Sequence, residues 1–224
     1  MALDSRGADA ARPFIKPDAT EYPRFVYELM GWDPDASRVS TPAYPCLIDE
    51  YHKVAELYGT VNVPAAVWID ENGGMVRSPD NAGACDAFRT MDRTTFKMQK
   101  ESAAQAREVR ISYIAALRDW IENGAASKHV LQDSEPGQHW PTSKDQAGAA
   151  RFRLGLELSR MGRDQEARAQ FTEAERLSPD NWSYKRQAWD LEQPGKAAGP
   201  EFWAAVDALG DKRYYPPSPF SGER

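Results

Sequence analysis

The sequence predicts an α/β region over residues 1–92 and an all-α region after it. Three observations carry that expectation. A nearly continuous apolar run, Val63 to Asp70, turns at Asn72-Gly73-Gly74 into Met75-Val76-Arg77. A short amphipathic stretch from Asp49 to Tyr58 precedes the run. From about Arg93 onward, apolar residues recur at three and four, the period of a helix face.

Each element has a local reason. Met1-Ala2-Leu3-Asp4 reads as the end of a central strand, with a helical stretch from Asp9 to about Ile15 behind Gly7. Residues 17–45 read as an irregular insertion, because Pro17, Pro23, Pro34, Pro42 and Pro45 break regular structure. One or two helical turns are expected there, around Phe25 to Met30. Cys46-Leu47-Ile48 is a brief strand. The helix from Asp49 carries Tyr51, Val54, Ala55 and Tyr58 on one face and stops at Gly59. Val63 to Asp70 has the unbroken apolar character of a strand buried on both faces. Asn72-Gly73-Gly74 tolerates the positive φ of a tight hairpin.

Residues 93–142 read as a connecting helix and loop. The helix runs from about Arg93 to Asn123 and stops at Gly124, with a stripe of Val109, Tyr113, Ala116, Leu117 and Trp120. Residues 143–194 read as a helical hairpin with a capping helix, opened by a capping box at Ser143-Lys144-Asp145-Gln146. Residues 195–224 form an aromatic tail with Phe202-Trp203 and Tyr214-Tyr215.

Composition narrows the function classes. The 28 basic and 34 acidic side chains leave a net charge of −6 and a pI near 5.2. This balance argues against nucleic-acid binding, which needs a basic patch. No apolar run approaches membrane-spanning length, and no signal peptide is visible, so a cytoplasmic protein is expected. Two isolated cysteines form neither a disulfide framework nor a metal cluster.

Two resemblances follow from these residues. Cys46 to Asp49, the helix closing at Tyr58-Gly59, Asn62-Val63-Pro64, the strand to Ile69-Asp70 and the Gly turn occur in the order of the redoxin branch of the thioredoxin superfamily. This branch holds the TlpA/ResA-like thiol–disulfide oxidoreductases and their peroxiredoxin relatives. Met1 to Asp4 resembles the family's preceding parallel strand. Leu154, Gly155, Leu158, Gly162, Ala167, Phe171, Ala174, Leu177 and Pro179 resemble one tetratricopeptide repeat, with Arg151 where the repeat has a tryptophan. In that pattern Gly155 and Ala167 let two helices approach while Leu154 and Phe171 fill the space between them. The whole chain resembles a bacterial group that joins a redoxin domain to such a tail.

The redoxin resemblance implies an incomplete thioredoxin-like domain. It implies a cis peptide before Pro64 and a substrate-facing surface at Val63 and Pro64. The family's Cys-x-x-Cys is missing, and the segment bearing it would lie before Met1. Two functions from different classes are therefore expected: a redoxin-family protein related to thiol–disulfide oxidoreductases without its catalytic segment, or a redox-inactive module that binds a protein or peptide partner. A single-cysteine peroxidase using Cys46 is a third.

Among individual residues, Cys46 is the only catalytic candidate, and it reads more readily as a buried apolar residue on a strand. Cys85 stands beside Asp86, which raises a thiol's pKa. Whether Cys46 and Cys85 approach is undecided by sequence. Asp49, His52 and Glu56 share a helix face and could ligate a metal, but a solvated face is the commoner meaning and no metal or cofactor is expected. His129 and His139 have no acid or nucleophile near them in sequence. Asp70 and Glu71 flank a turn where acids are ordinary. The helical hairpin is expected to bundle with helices 93–123 and 180–192, or to offer Lys185, Arg186 and exposed aromatic residues to a partner.

Overall fold

A computed structural model describes residues 1–12, 45–131 and 141–221. The expected insertion 17–45 lies outside the described residues except for Pro45, and so does His139. The described helices are α1 (Ala8–Ala11), α2 (Lys53–Leu57), α3 (Lys100–Asn123), α4 (Ser143–Arg160), α5 (Asp164–Leu177), α6 (Trp182–Glu192) and α7 (Pro200–Asp207). Short 3-10 turns occupy Asp86–Thr90, Gly124–Ala126 and Lys196–Ala198.

The α/β expectation is overturned. Among the described residues, β pairing is confined to three isolated bridges: Ala2 with Ile48 in parallel, and Ala66 with Asp80 and Ile69 with Met75 antiparallel. No sheet forms among the described residues, and a thioredoxin-like domain needs one. The redoxin resemblance falls with it. The reason lies in the run from Val63 to Asp70, which is not buried on both faces. Trp68 is buried, but Pro64, Ala65 and Ile69 are exposed. The turn chemistry itself is present. Gly73 has φ +83°, and the Asp70 carboxylate accepts hydrogen bonds from the Asn72 and Gly74 backbone N–H groups at 2.9 and 2.7 Å. The local hairpin signal is therefore real, while no described strand flanks it to make a sheet.

The described residues divide into two units, and neither is one continuous stretch. The first takes 1–12, 45–63 and 141–208; the second takes 64–131 and 209–221.

The second unit is built on α3. The helix starts at Lys100 rather than near Arg93 because Asp92 stops the preceding chain in a local turn. Its Oδ1 accepts from the Thr94 and Thr95 N–H groups and from the Thr95 hydroxyl, and Phe96 follows at φ +56°. Gly124, at φ +52°, ends the helix. Val109, Tyr113 and Ala116 face inward. Trp68 stacks on Trp120 and Phe220 at centroid distances of 5.1 and 5.6 Å, and the Arg77 guanidinium lies 4.2 Å from the Phe220 ring. The tail reaches this core because Asp86 accepts the Tyr214 and Tyr215 N–H groups, while Arg89 donates to the Gly210 and Lys212 carbonyls.

The first unit is helical and centres on the antiparallel pair α4–α5. The N-cap of α4 is Thr142, one residue before the expected box: the Thr142 hydroxyl accepts from the Asp145 N–H, and the Asp145 carboxylate accepts from the Thr142 N–H. At Gly155 the helices touch so closely that a Cβ would lie 2.5 Å from the Phe171 ring. Leu154 does not fill this space as expected. Leu154 is 45% exposed, and Phe152 and Leu156 hold the core with Phe171, Ala174 and Tyr184. The repeat pattern places the apolar stripe correctly on α4 but puts Leu154 on the wrong side of its edge.

Candidate functional site: a cleft in the helical unit

The expected site residues are divided between the two units. Val63 is half-buried, Pro64 is exposed, and the division between the two units falls between them. Among the described residues no sheet wall forms beside them. Cys46, expected to be buried, is exposed; Cys85 is buried, and both side chains are thiols. Among the described residues, the Cys46 segment makes one rung of β pairing, Ile48 with Ala2. Asp70 serves its turn, and the His129 carbonyl accepts a hydrogen bond from Arg77 at 3.1 Å.

Asp49, His52 and Glu56 each have a structural task instead of a shared ligand. The Asp49 carboxylate caps α2, accepting from the Lys53 and Ala55 N–H groups at 2.9 Å each. His52 is fully buried against Ser5, with Nε2 3.1 Å from the Ser5 hydroxyl. Glu56 turns toward α4 and α6. Among the described residues no group of three such side chains is placed to hold a metal.

Glu56 lines a cleft of about 650 Å³ in this unit. One wall is a single face of the α4 N-terminal half: Thr142, Asp145, Gln146, Ala149 and Arg153, spaced by three and four. The α5–α6 connection and Tyr184 form the opposite side, and residues 59–61 close a third. That third wall is fixed by the Ser183 N–H, which donates to the Val61 carbonyl at 3.0 Å.

At the base, Arg153 donates to Glu56 Oε2 at 2.6 Å and the Tyr184 hydroxyl donates to Oε1 at 3.1 Å. Burial pushes the Glu56 carboxyl above its ordinary range, against the opposing pull of Arg153 and of both hydrogen bonds. Burial and the Glu56 charge hold the Tyr184 phenol well above its usual value, so it remains a neutral donor. With each carboxylate oxygen accepting a donor, Glu56 is arranged as a positioned wall group rather than as a poised base. The cleft mixes apolar surface from Val61, Ala149 and Leu177 with Gln146, Asn181 and Arg153. Such a lining suits recognition of a mixed apolar and polar ligand.

Comparison of the chain with protein-family models, with curated proteins and with solved structures found no match. No described helix is long and apolar enough to cross a membrane.

Proposed function

We propose that this chain is a redox-inactive binding module, and that the cleft of its helical unit holds a short segment of a partner protein. The cleft is the observation that carries the reading. Its volume lies within the range of ligand pockets, about 300–1,000 Å³. Its apolar patch can accept a side chain, while Arg153, Gln146 and Asn181 can meet backbone polar groups. Lys144 and Arg153 stand among Glu56, Asp145 and Asp180, so the lining does not favour a polyanion. No activated nucleophile lies among these residues.

Peptides selected from a displayed library against the purified chain test this reading. Gln146 is exposed and lines the cleft, so Gln146→Trp fills the space without touching the core. The variant is expected to bind selected peptides at least about tenfold more weakly, a change of about 1.4 kcal/mol, with an unaltered circular dichroism spectrum. Equal affinities would refute the cleft as the site. Insulin-disulfide reduction that Cys46→Ser abolishes would refute the redox-inactive assignment.

A further inference from the structure

One wall of the cleft follows from a helix whose first turn is anchored by a single buried imidazole. His52 stands at φ 56° and ψ 23° immediately before α2, a left-handed conformation uncommon for a residue with a Cβ. The surroundings hold it there. Asp49 fastens the Lys53 and Ala55 N–H groups, and the Glu56 N–H donates to the His52 carbonyl at 3.0 Å. The His52 ring lies 4.8 Å from the Phe152 ring of α4 and 6.1 Å from the Tyr184 ring of α6. Its Nε2 meets Ser5, which joins the 1–12 segment to the same point.

His52 Nδ1 has no hydrogen-bond partner among the described residues. A neutral imidazole has one N–H, which Ser5 can accept. An imidazolium has two, and the second would be buried without an acceptor. The charged groups acting on His52 are Asp49 and Asp4, whose negative charges favour protonation. From the packed helices, α4 presents Phe152 and α6 presents the neutral Tyr184 phenol, with Glu56 one turn along α2 held by Arg153. Burial outweighs the acids and lowers the His52 pKa to about 4.

We propose that His52 is a proton-sensitive joint: protonation expels its ring from between Ser5, Phe152 and Tyr184 and releases α2, with Glu56 and the 59–61 wall, from α4 and α6. The joint goes beyond the peptide-binding reading and operates whether or not a peptide occupies the cleft. Its chemistry is that of a histidine switch, a neutral ring stable in a core where the cation is not.

Amide hydrogen exchange on the full chain, corrected for intrinsic rates, tests the joint at about pH 7 and about pH 4.5. Protection at Ala55, Glu56 and Thr60 is expected to fall at least about tenfold in acid, while Val109 and Ala116 of α3 keep theirs. In His52→Gln, which retains a hydrogen-bonding side chain toward Ser5, the acid step should vanish. The same acid step in His52→Gln, or equal loss at α2 and α3, would overturn the proposal. If His52→Gln does not fold, the His52 ring-proton resonance of the unaltered chain decides. Titration near the ordinary value of about 6.5 with undiminished protection overturns the joint. Titration well below that value, together with loss of α2 protection, supports it.

Discussion

Phe152→Ala is expected to lower the stability of the helical unit by about 3–5 kcal/mol, the usual cost of removing a fully enclosed aromatic ring. Phe152 has no exposed surface. It stacks on Tyr184 at 4.2 Å with an interplanar angle of 16°, and meets Phe171 at 5.6 Å and His52 at 4.8 Å. Its loss therefore removes packing from α4, α5, α6 and the approach to α2 together, and these elements cannot all collapse into one cavity. Leu154→Ala supplies the contrast. At 45% exposure it is expected to cost only about 0.5 kcal/mol. Urea denaturation followed by circular dichroism and by exchange of α4 amides measures both. Equal losses, or a larger loss at Leu154, would mean that the hairpin is rotated from the arrangement described.

Acid is expected to destabilise the same unit through His52. The folded pKa of about 4 is lower than the ordinary 6.5, so the unfolded chain binds a proton more readily between those values. Stability is therefore full above about pH 6.5, falls as pH drops through the interval, and levels off below about 4. The total is about 3 kcal/mol from this side chain. Glu56 works in the opposite sense. Its raised carboxyl takes up a proton more readily in the folded state, which offsets part of the loss in the lowest range. The difference between the unaltered chain and His52→Gln isolates the histidine. Urea midpoints taken from about pH 7 to about pH 4 should converge for the two proteins in acid and diverge near neutrality. Parallel curves would show that the ring is solvated when folded.

How far the sequence discloses this molecule depends on the range of the interaction concerned. The α3 stripe, its Gly124 stop and the Asp70–Gly74 turn are short-range features, and each is readable from adjacent residues. The sheet is a false expectation because Val63 to Asp70 has the composition of a buried strand, while whether other strands flank it is a long-range property. The single rung between Ala2 and Ile48 shows the limit: the parallel pairing implied by the redoxin resemblance occurs once and does not propagate. The capping box is displaced by one residue because Thr142 and Ser143 are both good caps, and backbone conformation chooses between them.

The cleft is half legible. Gln146, Ala149 and Arg153 fall at helical spacing on one face of α4, a pattern that the order of residues alone contains. Glu56 stands out in the sequence only as one of three metal candidates on a solvated face. Its actual partners, Arg153 and Tyr184, lie 97 and 128 residues away in sequence, beyond the reach of any local pattern. Cys46 is misplaced for a related reason, since burial of a short strand depends on distant neighbours that its own residues do not specify.

The binding assignment rests on the cleft, and amide chemical-shift mapping with a selected peptide tests it most directly. On titration, saturable shifts are expected at Thr60, Gln146, Ala149, Arg153, Asn181 and Tyr184, with little change at Trp68, Tyr113 and Trp120. Shifts centred on the Trp68–Trp120 core, with the α4 face unmoved at saturation, would contradict it.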